Sequence, residues 1–164
     1  MSKPLLLIDI DGVLRPTLFA PKRGYEIYYL KGRKVYLSEQ VGAEVLGLAN
    51  DFELVWATGW ENDANELIAP LLRLPALPVI HFDSAPDKLA GISTFAGERP
   101  LVWWDDWVED GEAEWARQRN LHIPTKLIQI NHFSGLMPPD FAATRRFAQN
   151  LRAPNDKIST DRAL

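Results

Sequence analysis

Residues 5–14 read LLLIDIDGVL, an apolar run that ends on two carboxylates and a glycine. Four consecutive apolar residues predict a strand buried on both faces, as in a parallel sheet covered by helices. Asp9 and Asp11 are two residues apart, so in an extended chain their side chains point the same way. Gly12 then allows the backbone to turn without a Cβ penalty. Because two anions held together at a buried strand end need a cation or a shared proton, we interpret this stretch as a site rather than as a solvated surface turn.

The chain has 164 residues, a length that suits one domain with a substantial core. It contains no cysteine, which excludes disulfides and thiolate metal sites and fits a reducing cytoplasm. The N-terminal apolar run is too short and too acidic for a secretory signal, and no stretch approaches the roughly 20 apolar residues of a membrane span. We therefore expect a cytoplasmic protein with no membrane partner. The net charge of −4 gives no general argument for nucleic-acid binding.

Strand and helix patterns alternate along the chain. Strands are predicted at residues 5–8, 52–57, 79–82, 101–104 and 126–130, and helices at residues 39–50, 61–74, 88–95, 112–120 and 140–151. Pro70 predicts a kink or a restart inside the second of these helices. This alternation predicts a three-layer α/β/α, Rossmann-like fold with a mainly parallel five-stranded sheet. We expect residues 1–153 to form a single domain and residues 154–164 to form a flexible tail.

A β-hairpin is predicted directly after the acidic turn. Two β-rich runs, residues 25–30 and 34–37, flank Lys31-Gly32-Arg33, which is typical of a short turn containing glycine. The position of this hairpin, about residues 22–37, makes it a flap over the site. Its basic and tyrosine-rich character suits a polyanion. The equally weighted alternative is that these charges only keep an exposed hairpin soluble.

The predicted strand ends carry the polar residues of interest. In open parallel sheets, ligands bind beyond the carboxyl ends of the strands. At or near those ends stand two acidic pairs, a hydroxyl with its following glycine, and an ammonium: Asp9, Asp11, Asp105, Asp106, Thr58, Gly59 and Lys88. Carboxylates without a histidine or cysteine cluster favour Mg²⁺. Hydroxyl, backbone N–H and ammonium groups could hold phosphate oxygens, so this set predicts phosphoryl transfer.

Four motifs in order resemble those of the haloacid-dehalogenase-like (HAD-like) superfamily of phosphohydrolases. Residues 9–13 match the first motif, D-x-D-G-[VT]. Thr58 after the apolar residues 54–57 matches the second, and Lys88 fits the third. Asp105-Asp106 fits the acidic fourth motif. The resemblance covers residues 5 to 110 and implies a Mg²⁺-dependent phosphatase with a HAD-like fold.

The resemblance also implies a role for each matched residue. Asp9 would be the nucleophile that forms an aspartyl-phosphate, and a metal ligand. Asp11 would be the general acid and base, with its backbone carbonyl facing the metal. Thr58, Gly59 and Lys88 would bind the phosphoryl group.

The fourth motif allows two interpretations. The family has both plain D-D forms and G-D-x-x-x-D forms. We expect Asp106 to be the direct metal ligand with Asp105 in support, although either could fill that role. Asp110 is expected to be solvated.

Neither gap between the motifs holds a separate domain, which by resemblance indicates a member without a cap. Residues 54–61, 74–78 and 104–106 further resemble a subgroup known chiefly from bacteria and associated with multidomain RNA-repair proteins. That similarity implies a nucleotide or a nucleic-acid end as one candidate substrate. Arg15, Lys31, Arg33 and Trp60 are the candidate substrate contacts.

Two other classes of function use similar residues. A receiver-like domain would accept a phosphate on a clustered acid without turnover, and a non-catalytic module would only bind phosphate or a polyanion. Asp11 separates the enzyme from the receiver, because a positioned acid for a leaving group has little use in a receiver.

Overall fold

The computed structural model describes residues 2–17, 23–83 and 87–153. Its helices and strands are, in chain order, β1 (Leu5–Ile8), β2 (Glu26–Leu30), β3 (Arg33–Leu37), α1 (Glu39–Gly47), β4 (Glu53–Trp56), α2 (Leu89–Ala96), β5 (Leu101–Asp105), α3 (Asp110–Arg119), β6 (Thr125–Gln129) and α4 (Pro138–Arg152). A 3₁₀ turn spans Leu48–Asn50 and a π-helical segment spans Ala64–Ile68. The predicted tail and the first residue of the predicted flap lie outside the described residues.

The central sheet is parallel, in the order β4-β1-β5-β6. Strand β1 is fully buried and pairs with β4 on one side and with β5 on the other. Its alternate residues contribute to two separate core clusters, one shared with α1 and α4 and the other with α2. Helices therefore cover both faces, which confirms the predicted α/β class with a parallel sheet.

The prediction of five strands is wrong for the residues that the structure describes. Residues 79–82 do not form a strand, and only Val79 makes a bridge, to Trp56 of β4. The Trp56 N–H donates to the Pro78 carbonyl and the Ile80 N–H donates to the Trp56 carbonyl. Pro78 has no N–H with which to extend the ladder, and the chain then turns away, so the Phe82 N–H bonds to the Glu61 side chain instead.

The helix predicted over residues 61–74, with a kink or restart at Pro70, is confirmed only in part. The segment contains the short π-helical stretch followed by turns, with an Ala69 N–H that donates to the Ala64 carbonyl five residues earlier. Pro70 cannot donate a helical hydrogen bond, and Arg73 has a φ of 54°, which ends the helical path.

The remaining helices agree with the predictions to within a few residues. Ser38 caps α1 as expected, with its Oγ 3.3 Å from the Val41 nitrogen. Helix α1 ends at Gly47, three residues earlier than predicted, because the chain continues as the 3₁₀ turn. Among the described residues no helix combines the length and the apolar character needed to cross a bilayer.

The predicted hairpin is present as the separate two-stranded sheet β2-β3. Lys31 and Gly32 form its tip, and both have positive φ, 49° and 72°. This is the backbone of a tight two-residue turn whose twist matches the strands. The Lys31 side chain forms an ion pair with Asp63, which lies beside the π-helical segment after β4. The tip is thereby held near the carboxyl end of β4, and its role as a flap stays a prediction.

Candidate active site

Two buried carboxylates lie side by side at the carboxyl ends of β1 and β5. Ile8 pairs with Trp104, and the Asp9 N–H continues the ladder by donating to the Trp104 carbonyl at 3.1 Å. Asp9 directly follows β1, and Asp105 is the last residue of β5. Their exposed fractions are only 6% and 2%. The parallel register therefore brings together two acids that are 96 positions apart in the sequence.

Lys88 joins these two acids. Its Nζ lies 2.9 Å from Asp9 Oδ2 and 2.7 Å from Asp105 Oδ2. The other oxygen of each carboxylate accepts a backbone hydrogen bond, from Ile10 at 2.7 Å and from Trp107 at 3.0 Å. Lys88 directly precedes α2, so the start of that helix fixes the base of its side chain.

Asp106 adds a third carboxylate to the cluster. One oxygen of each of Asp9, Asp105 and Asp106 can be chosen so that all three lie within 4.8 Å of one another. Asp106, the residue expected to be the direct metal ligand, therefore lies with Asp9, Asp105 and Lys88. We call Asp9, Asp105, Asp106 and Lys88 the acidic cluster.

The charges of the acidic cluster are incompletely balanced. Burial raises the pKa of Asp9 to about 7, against the opposing effect of Lys88. Burial and then the charge of Asp105 raise the pKa of Asp106. Burial would lower the pKa of Lys88, but the charges of Asp9 and Asp105 outweigh it and raise the pKa. Three carboxylates with one ammonium form an oxygen donor set that fits a hard divalent cation such as Mg²⁺.

Gly12 is required at this site for a second reason, which the sequence pattern did not reveal. Its φ is 71°, as expected for a glycine turn. In addition, a Cβ at Gly12 would lie 2.2 Å from Asp106 Oδ2. The absent side chain therefore makes room for a carboxylate of the acidic cluster, a contact visible only after folding.

Asp11 lies apart from the acidic cluster and is half exposed. Its two oxygens accept hydrogen bonds from Arg15 Nη1 at 2.9 Å and from the Trp60 indole N–H at 3.2 Å. The carboxylate is not among the three that could share a cation. The i, i+2 spacing therefore did not bring both carboxylates to one set of partners.

Thr58 and Gly59 occupy the carboxyl end of β4, as predicted. The Ala57 N–H donates to the Ile8 carbonyl at 2.9 Å, which keeps this end beside β1. Thr58 is buried, with its Oγ1 3.3 Å from the Trp60 nitrogen, whereas Gly59 is exposed.

A cleft of about 390 Å³ separates the hairpin tip from the segment after β4. Its lining residues are Asp11, Lys31, Arg33, Gly59, Trp60 and Asp63. The Lys31–Asp63 ion pair joins its two sides. Sequence reasoning missed Asp63, since nothing in the linear pattern pairs an acid with a lysine 32 positions away.

The candidate substrate contacts separate into two groups. Lys31, Arg33 and Trp60 line the cleft. Arg15 instead contacts the Asp11 carboxylate and, at 3.4 Å, the Lys34 carbonyl of β3, so it ties the acidic turn to the hairpin. Asp110 is exposed in the first turn of α3, as expected for a solvated acid.

Comparison of the sequence with protein-family models and with curated proteins finds no match. Function is therefore inferred from the acidic cluster and the cleft.

Proposed function

We propose that this chain is a Mg²⁺-dependent phosphatase of the HAD-like type that hydrolyses a phosphate monoester through an aspartyl-phosphate on Asp9. The observation that carries the proposal is the acidic cluster: three carboxylates and an ammonium at the carboxyl ends of parallel strands. A nucleotide or a nucleic-acid end is the candidate substrate.

The acidic cluster would hold the cation. Asp106 is the favoured direct ligand, because Asp9 and Asp105 each have both oxygens engaged by Lys88 and by a backbone N–H. Asp9 would exchange its contact with Lys88 for the cation. The backbone carbonyl of Asp11 is a further candidate ligand. When bound, Mg²⁺ would supply positive charge that offsets the repulsion between the phosphate and the nucleophile.

Asp9 would attack phosphorus with a carboxylate oxygen, forming a P–O bond to Asp9 as the bond to the leaving oxygen breaks. The Ile10 N–H and Lys88 fix the orientation of this carboxylate. Lys88 would also neutralise charge on the phosphoryl oxygens, together with Thr58 and the backbone at Gly59.

Asp11 would give its proton to the leaving oxygen and then take a proton from the water that hydrolyses the aspartyl-phosphate. Arg15 and Trp60 hold both oxygens of this carboxylate. The protonated form would exchange one of these two contacts for a hydrogen bond to the leaving oxygen. Its half-exposed position beside the cleft lets it reach both a substrate and water.

The first test is hydrolysis of p-nitrophenyl phosphate by the full chain. We expect turnover with Mg²⁺, its loss in EDTA, and a fall of about 10³-fold or more in Asp9→Asn. Asp110→Asn, an exposed acid outside the acidic cluster, is the matched control and should keep wild-type activity. Absence of metal-dependent turnover on this ester and on a broad panel of phosphate monoesters would contradict the proposal.

A receiver-like phospho-acceptor is the second candidate. It is favoured by one observation, the engagement of both Asp11 oxygens by Arg15 and Trp60, which leaves this carboxylate without a free oxygen to serve as an acid. Acid quenching after exposure to a radiolabelled phosphoryl donor distinguishes the two. A receiver accumulates a lasting phosphate on Asp9, whereas the phosphatase releases inorganic phosphate repeatedly. A module that only binds phosphate or a polyanion would do neither.

A further inference from the structure

We infer that the substrate of this site carries a second phosphate on its leaving-group side, bound in the cleft by Arg33 with help from Lys31. The inference rests on the proposed function, since it concerns the part of the substrate that Asp11 releases.

The position of Asp11 places the leaving group in the cleft. A general acid must lie within hydrogen-bond reach of the oxygen that it protonates. The carboxylate of Asp11 lines the cleft, while Asp9 lies in the buried cluster at the end of β1. A phosphate on Asp9 with its ester oxygen near Asp11 therefore directs the rest of the substrate between the hairpin tip and Trp60.

The charges lining the cleft leave one cation unmatched. Asp11 is balanced by Arg15, and Asp63 is balanced by Lys31. Arg33 is exposed and has no side-chain partner among the described residues. A guanidinium suits bidentate binding of a phosphate. An anionic group on the leaving group would complete this charge balance, and Lys31 could exchange Asp63 for the same anion.

The opposite side of the cleft offers an aromatic surface. The Trp60 indole is partly exposed and is fixed by its N–H bond to Asp11. The cleft volume of about 390 Å³ lies in the usual range for small-molecule sites. An indole and a guanidinium that line the same cleft fit a nucleoside-sized group that bears a further phosphate.

The backbone at Lys31 provides a clean way to remove one charge. Its φ of 49° is uncommon for a residue with a side chain, whereas asparagine followed by glycine is the preferred sequence for such a turn. Lys31→Asn therefore removes the ammonium without straining the turn, and it also breaks the ion pair with Asp63. Lys34→Gln is the matched control, because the Lys34 ammonium lies 5.3 Å from the Tyr36 ring centre and does not line the cleft.

The experiment compares kcat and KM for nucleoside monophosphates, a nucleoside 3′,5′-bisphosphate and a dinucleotide with a terminal phosphate monoester. We expect the second phosphate to raise kcat/KM about tenfold, mainly through KM, as one charge-assisted contact would. Arg33→Gln should remove most of this advantage and Lys31→Asn part of it, whereas Lys34→Gln should keep it. If only the dinucleotide shows the advantage, the second phosphate belongs to a nucleic-acid chain. If the bisphosphate shows it as well, the second phosphate can be that of a free nucleotide.

Failure of the inference and failure of the proposed function give different results. If p-nitrophenyl phosphate is hydrolysed but the second phosphate brings no advantage, or Arg33→Gln keeps the advantage, the inference is overturned. If no ester is hydrolysed, the proposed function fails. Calorimetric binding of the bisphosphate to wild-type and Arg33→Gln protein then decides whether Arg33 forms a phosphate site: about tenfold weaker binding to the variant supports that site, and equal binding overturns it.

Discussion

The acidic cluster and the cleft lie next to each other but are built in opposite ways. In the cluster, Asp9 and Asp105 are buried at strand ends, and each is held by Lys88 and by a backbone N–H. Asp106 and Lys88 are partly buried. The cleft is lined by exposed or partly exposed side chains on a hairpin tip and on an irregular segment. Rigid, desolvated groups suit bond making and breaking, and accessible groups suit recognition of a variable ligand.

The two lysines test this contrast most directly. Lys88→Met would leave two buried carboxylates without their ammonium, which we expect to cost about 3–5 kcal/mol of unfolding free energy in EDTA at pH 8. Lys31→Met removes an ammonium from an exposed ion pair and should cost less than about 1 kcal/mol. Urea denaturation of both variants measures the difference. Similar losses would show that the stability of the fold depends no more on the Lys88 ammonium than on the Lys31 ammonium.

Two glycines with nearly the same backbone angle give the next largest effect. Gly12→Ala combines the cost of a positive φ with an overlap against Asp106, for an expected loss of about 3 kcal/mol and weaker Mg²⁺ binding. Gly32→Ala at the hairpin tip has open space around it and should lose about 1 kcal/mol from φ alone. Thermal unfolding with a Mg²⁺ titration checks both. Equal losses would mean that the Asp106 side chain moves aside freely.

The pH dependence of stability gives the last effect, which should come from the acidic cluster. In EDTA the folded pKa of Asp9, about 7, exceeds the ordinary value of 3.8, so the folded chain holds a proton that the unfolded chain has released. Stability should therefore fall by up to about 3 kcal/mol as the pH rises from 4 to 7.

Asp9→Asn removes this titration, so a series of urea unfolding measurements between pH 4 and pH 8 should give a flatter profile for the variant. Identical profiles for the variant and the wild type would show that Asp9 is ionised throughout.

The sequence predicted the acidic cluster well, because its members follow from local patterns. An apolar run that ends on an acid predicts a strand end, and parallel strand ends meet at one edge of the sheet. The apolar runs were therefore sufficient to locate Asp9, Thr58 and Asp105. Lys88 was placed near the same edge because its segment follows the third predicted strand, and in the structure it directly precedes a helix.

The cleft could not be predicted in the same way. Its contacts, Lys31 with Asp63 and Trp60 with Asp11, depend on how the hairpin folds against the segment after β4. That segment was itself predicted only in part, since the break near Pro70 follows from the sequence but the π-helical stretch does not. Pro78 likewise reduced a predicted strand to one bridge. Where proline or a long-range contact determines the backbone path, periodicity carries little information.

The separate sheet of the hairpin has a consequence for how this chain could diversify. Among the described residues, strands β2 and β3 pair only with each other, so their exposed tip can change in sequence or length without altering a ladder of the central sheet. The last residue of β3, Leu37, is by contrast buried in the core and anchors the base of the hairpin. Grafting tips from other hairpins between residues 29 and 34 would therefore produce a library of chains with one reaction centre and many ligand preferences.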